Sequence, residues 1–166
     1  MQKNKNLFFG CKTAPPHTLK LNGVEIQWET KWKYLGVTLK SGPNFDYCIQ
    51  ETVSKYYRAL NAVLRVEGRS NDMIMLRLIE AHCIPILTYG IEIVHVQDRD
   101  KKRKIRVAYN AAFRKLFSYS YRESVTSLQH CLSRLTWEEM IEKRQSTFRG
   151  RLYSADPDSL ARITLY

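Results

Sequence analysis

The chain has 166 residues, 44% of them hydrophobic, which suits one domain with one real core or a small core plus an appended piece. Twenty-seven lysines and arginines against sixteen acidic residues leave a formal charge of +11, so the expected partner is anionic, nucleic acid ahead of an acidic membrane surface. No stretch approaches the roughly 18 apolar residues that span a bilayer, and the N-terminus carries no signal-peptide core, so an intracellular protein, cytoplasmic or nuclear and not secreted, is expected.

The four cysteines, Cys11, Cys48, Cys83 and Cys131, are widely scattered, as in a reduced protein. The adjacent pairs His82-Cys83 and His130-Cys131 point about 100° apart on a helix and lack a two-ligand clip, so no metal is expected.

In chain order, Leu7-Phe8-Phe9 and Leu19-Lys20-Leu21 read as short strands, with Pro15-Pro16 breaking the chain between them. Asn22-Gly23 separates Leu19-Lys20-Leu21 from the alternating run Val24 to Trp28, a hairpin signal because both turn residues tolerate positive φ. Tyr34 to Leu39 supplies another strand, closed by Ser41-Gly42-Pro43. After Pro43 the period becomes helical. Asn44 is placed to cap a helix in which Phe45, Ile49, Val53, Tyr57, Leu60 and Leu64 recur at three- and four-residue steps. Gly68-Arg69-Ser70-Asn71 stops and restarts it, and the next helix carries Ile74, Leu78, Ile79 and Cys83 up to Pro85, which should kink or end it. A third helix spans Asp98 to Phe117, a short fourth starts near Ser124, and a fifth opens at Thr136, where Thr136-Trp137-Glu138-Glu139 has capping-box spacing. The fold class expected is α+β, mainly α: a small N-terminal antiparallel β element over 1–42, a helical bundle over 43–153 and a tail over 154–166.

The third helix is the one expected to touch nucleic acid. Ile105, Tyr109, Ala112 and Leu116 form one apolar stripe for the core. Opposite them Arg99, Arg103, Arg106, Asn110 and Arg114 form a ridge about 22 Å long, flanked by Lys102 and Lys104. Cations in the first turns oppose the helix dipole, by about 0.3–1 kcal/mol each when exposed, so helix stability does not explain them. Contact with a phosphate backbone does, and it implies salt-dependent binding with little sequence preference. The competing account is an ordinary solvated face. Tyr56, Tyr57, Tyr119 and Tyr121 lie beside Lys55, Arg58 and Arg122, where stacking on bases competes with core packing. His17, His82, His95 and His130 have no triad partners nearby, and no glycine-rich phosphate loop occurs, so no catalytic residues are assigned.

Trp32-Lys33-Tyr34-Leu35-Gly36-Val37, the later run His82-Cys83-Ile84-Pro85-Ile86-Leu87-Thr88-Tyr89-Gly90-Ile91-Glu92, and Tyr109 to Phe117 followed by Glu123-Ser124-Val125 together resemble the region that follows the catalytic palm in reverse transcriptases of non-LTR (LINE-type) retrotransposons. The resemblance implies that the β element is the palm edge with a primer-grip hairpin at Tyr34, Leu35 and Gly36. It also implies that the helical part is thumb-like and grips a primer–template duplex of RNA, DNA or their hybrid. The family's aromatic-Ala-Asp-Asp strand, which holds two magnesium ions with a further aspartate, is not found in this sequence. The expectation is therefore a fragment of an RNA-directed DNA polymerase without catalysis or cofactor of its own, whose parent enzyme uses magnesium and whose missing palm and fingers are further partners. The alternatives are a stand-alone helical nucleic-acid adaptor or a structural, protein-interaction module.

Overall fold

The structure, a computed structural model, describes residues 6–10, 13, 17–43, 46–65, 71–92 and 99–155. Cys11, the Pro15-Pro16 break, the Asn44 cap with Phe45, the stop at Gly68-Arg69-Ser70, His95 and Asp98 lie outside them. The chain divides into two compact units, Met1–Thr52 and Val53–Tyr166. The fold is α+β and mainly helical, with small antiparallel strands first and helices after.

In the first unit, β1 (Leu19–Leu21) and β2 (Val24–Ile26) pair antiparallel, Leu19 opposite Ile26. Asn22 (φ +51°) and Gly23 (φ +79°) make the two-residue turn that the Asn-Gly signal implies. The single strand that the pattern gives at Tyr34 to Leu39 is instead a second hairpin, with its turn at the Tyr34-Leu35-Gly36 positions where the family resemblance implies one: β3 (Lys31–Tyr34) turns through Leu35-Gly36 into β4 (Val37–Lys40), Tyr34 opposite Val37. Leu35 and Gly36 both take positive φ, +44° and +84°, which reverses the chain where an alternation count runs straight on.

A third strand, β5 (Asp46–Tyr47), adds to β4, with Tyr47 opposite Leu39. Helix was expected here from Phe45 on. The Asp46 carboxylate accepts the Tyr47 N–H at 2.8 Å, a local bond that competes with a helical turn, and Tyr47 is buried. Leu7-Phe8-Phe9 forms no strand of its own. Asn6 and Phe9 make single bridges to Trp28 and Gly42, and Phe8 lies edge-on to Trp28 at 6.2 Å.

Helix α1 (Ile49–Leu64) follows, then α2 (Asp72–His82), whose N-cap Asn71 accepts the Met73 N–H at 2.8 Å. Cys83 separates α2 from α3 (Ile84–Thr88), where Pro85 occupies the first turn and needs no donor, so the proline restarts a helix rather than only ending one. Helices α4 (Arg99–Leu116), α5 (Thr126–Cys131) and α6 (Trp137–Tyr153) complete the described chain. The capping box at Thr136 and Glu139 is formed in both directions.

Helix α4 packs on α2, α3 and α6. It buries the predicted Ile105, Tyr109, Ala112 and Leu116 and also Ala108 and Phe113, a stripe wider than the one counted from the sequence. At about 1.5–3 kcal/mol for each large apolar side chain fully removed from water, this face anchors α4 despite its unfavourably charged start. Tyr56, Leu60, Leu76, Ile79 and Leu87 supply the facing core. Two ion pairs tie distant segments together: Arg134 forks onto the Glu80 carboxylate, and Arg144 holds Glu92.

Candidate nucleic-acid interface

Helix α4 places the basic ridge beside two depressions of different character. The first, about 960 Å³, runs between α4 and α6. Ile91, Ile105, Trp137 and Ile141 give it apolar surface, Arg99, Lys102 and Arg103 form its α4 side, and Glu138 and Glu142 stand on the α6 side. The second, about 570 Å³, is polar, and its lining includes Arg103, Arg106, Arg114 and Arg122, the amides Asn110 and Gln129, and the glutamates Glu123 and Glu138.

The ridge divides along its length. Arg106 donates to the Glu138 carboxylate at 3.3 Å, with both side chains more than half exposed. Asn110 accepts from the buried Gln129 amide at 3.2 Å. Arg114 donates through Nε and Nη2 to the Glu123 carbonyl at 3.1 and 3.0 Å, clamping the segment after α4. The C-terminal half of the ridge is thus occupied in holding the fold. Arg99, Lys102, Arg103 and Lys104 are exposed and have no ion-pair partner among the described residues.

The other predicted positions lie in the first unit. Tyr34, Leu35 and Gly36 form the tip of the β3–β4 hairpin, with Tyr34 60% and Leu35 72% exposed. A leucine in the left-handed region is strained by about 1–2 kcal/mol, so the turn holds a large apolar side chain in water where asparagine would sit more easily.

Sequence reasoning missed three contributors. Glu138 lies next to the capping-box carboxylate in sequence, yet Glu139 alone makes the box and Glu138 meets Arg106. Gln129 is a buried amide whose partner is on another helix, and the Glu123 carbonyl is backbone, which carries no side-chain signal. Arg122 entered only as a neighbour of tyrosines. Among the described residues no three of His, Cys, Asp and Glu stand together as metal ligands, and no metal step is assigned to them. No helix of the described residues is long and apolar enough to cross a membrane.

A helical unit organised around one arginine-lined helix, with cations that have no ion-pair partner among the described residues, is a candidate polyanion-binding region. Over 156 residues the chain is 30% identical to a probable RNA-directed DNA polymerase from transposon BS of Drosophila melanogaster, the match covering 91% of this chain and 17% of that protein. The chain is thus related to part of a transposon reverse transcriptase and spans about a sixth of that relative's length. No protein-family model and no solved structure matches it.

Proposed function

We propose that the chain is the primer-grip edge and thumb of a non-LTR, LINE-type reverse transcriptase, and that it holds primer–template nucleic acid without catalysis of its own. The observation that carries the reading is the set Arg99, Lys102, Arg103 and Lys104: four exposed cations crowded into the first turns of α4, unpaired among the described residues and opposed to the helix dipole. The helix dipole disfavours that placement, whereas a phosphate backbone would be drawn to it. The likeness to a transposon RNA-directed DNA polymerase supports the parent activity. The exposed Tyr34-Leu35 tip, backed by a glycine at which a backbone or sugar has room to approach, supports the primer-grip role.

The test is fluorescence anisotropy with a labelled RNA–DNA hybrid, single-stranded RNA and duplex DNA across a salt series. Four phosphate contacts predict a log–log salt slope of about 3–4 for duplex, and Arg99→Glu with Arg103→Glu should lower it by about 2. Arg106 and Arg114 are left alone in this variant because they hold Glu138 and the Glu123 carbonyl. Binding that ignores the double substitution, or no binding at low salt by folded protein, refutes the reading.

A further inference from the structure

The segment that follows α4 is braced far more heavily than its surface position requires. Ser118 takes φ +57°, and the Tyr119 N–H returns to the Arg114 carbonyl at 2.9 Å. The Glu123 carboxylate accepts the Ser120 N–H at 2.6 Å, while the Glu123 N–H donates to the Ser120 carbonyl at 3.2 Å. The Arg114 fork closes the segment from below. What this frame presents to water is Tyr121, 80% exposed, the most exposed ring among the described residues.

Its neighbours are aromatic and cationic. Lys115 lies over the Tyr57 ring, 5.6 Å from its centroid, and is itself held by Asn61 at 2.8 Å. Burial raises the Tyr57 hydroxyl pKa, with Tyr121 adding to the rise and the Arg114 guanidinium opposing it. On the next residue Arg122 lines the polar cleft with Arg103 and Arg114, and it has no ion-pair partner among the described residues.

An exposed aromatic ring on a braced loop, next in sequence to an arginine that lines a polar cleft, has one common nucleic-acid ligand, an unpaired base with its phosphate. A duplex hides its base faces in the stack and offers only its backbone. We propose that Tyr121 is a stacking platform for an unpaired base of a single-stranded nucleic acid, whose backbone follows Arg122 into the cleft between α4 and α5. This rests on the reading of the chain as a nucleic-acid-binding part of a polymerase, and adds to it a strand-selective element at Tyr121 and Arg122, whose cleft shares Arg103 with the first turns of α4. A braced loop suits the task, since ordering it beforehand removes an entropic cost from binding.

The experiment compares wild type, Tyr121→Ala, Tyr121→Phe and Arg122→Ala for affinity to a labelled single-stranded RNA and to a blunt RNA–DNA hybrid. Tyr121→Ala should weaken single-strand binding about tenfold and change hybrid binding less than twofold, while Tyr121→Phe keeps the wild-type preference. Arg122→Ala should weaken the single strand in the same direction. Tyr121 is 80% exposed, so alanine removes little buried surface, and a circular-dichroism melt checks that the fold is unchanged. Equal losses on both ligands, or none on the single strand, overturn the proposal and leave Tyr121 to a protein partner. A wild type that binds hybrid but not single strand sinks this site alone; one that binds neither sinks the proposed function with it.

Discussion

Replacing Tyr56 by phenylalanine is expected to leave the helical unit as stable as before or up to about 2 kcal/mol more stable, whereas the same change at Tyr109 should destabilise it by about 1–2 kcal/mol. Both rings are buried in one core, Tyr56 completely and Tyr109 nearly so. Their hydroxyls differ. Tyr109 donates to the Leu135 carbonyl at 2.8 Å, and through it ties α4 to the turn before α6. The Tyr56 hydroxyl has no hydrogen-bond partner among the described residues. Deleting the Tyr109 oxygen loses a bond worth about 0.5–1.5 kcal/mol net and strips a carbonyl of its donor. Deleting the Tyr56 oxygen loses no bond and relieves the desolvation of a hydroxyl, about 1–3 kcal/mol, against which stands the small void left behind, about 1 kcal/mol. The ionisations follow the same burial: it pushes the Tyr109 hydroxyl up to about 12, helped by Glu80 and opposed by Arg134, and it pushes Tyr56 up as well, with Cys83 adding to the rise. Urea unfolding followed by the far-ultraviolet helix signal measures both variants, with equal slopes required for the comparison. A Tyr56→Phe variant that loses as much stability as Tyr109→Phe would show that the Tyr56 hydroxyl is satisfied, and the reasoning fails.

At the β3–β4 tip, Leu35→Asn should relieve left-handed strain and stabilise the hairpin by about 1 kcal/mol, seen as slower amide exchange over residues 31–40; faster exchange there would mean that the leucine side chain, not the turn geometry, holds the tip. Stability should fall at both pH extremes. The Glu139 carboxyl lies below its ordinary 4.5 because it accepts the Thr136 backbone N–H and hydroxyl, so its contribution is present above that value and is lost as pH falls through the lowered one. Tyr47 and Tyr109 are raised from 10 to about 12, each chiefly by burial, so their contribution is complete below pH 10 and is lost between pH 10 and 12. Urea midpoints across pH check both limbs, and Thr136→Ala should flatten the acid one; an unchanged acid limb in that variant refutes the assignment to the capping box.

What the sequence makes legible here is local. Asn22-Gly23, Asn71 and the Thr136–Glu139 box each act within four residues, and each is found where its spacing implies. The α4 core stripe is legible because burial on a helix follows its period, although Ala108 and Phe113 widen it. The turn at Leu35-Gly36 is not legible as a hairpin from pattern alone, since leucine does not advertise positive φ and the strand alternation continues across it. Nor does the loss of Asp46-Tyr47 from the expected helix show, because pairing with Lys40 and Leu39 is decided by a strand already formed.

The same limit governs the basic face. Period decides that Arg99, Arg103, Arg106, Asn110 and Arg114 share one side of α4; it does not decide what stands opposite them. Arg106 meets a carboxylate thirty-two residues away, Asn110 a buried amide nineteen away, and Arg114 a backbone carbonyl nine away. These partners all come from the segment between Glu123 and Glu138, which folds back over the C-terminal half of the helix. In the first turns Arg99, Lys102, Arg103 and Lys104 make no ion pair among the described residues, and Glu138 and Glu142 face the first three of them only across the cleft. A net charge of +11 therefore overstates the phosphate-binding charge on this face, because Arg106 and Arg114 are already engaged. Substituting those two tests the fold, whereas substituting Arg99 and Arg103 tests binding. Under the proposed function, a loss of binding at Arg114 would report the freed Glu123 carbonyl as readily as a lost phosphate contact.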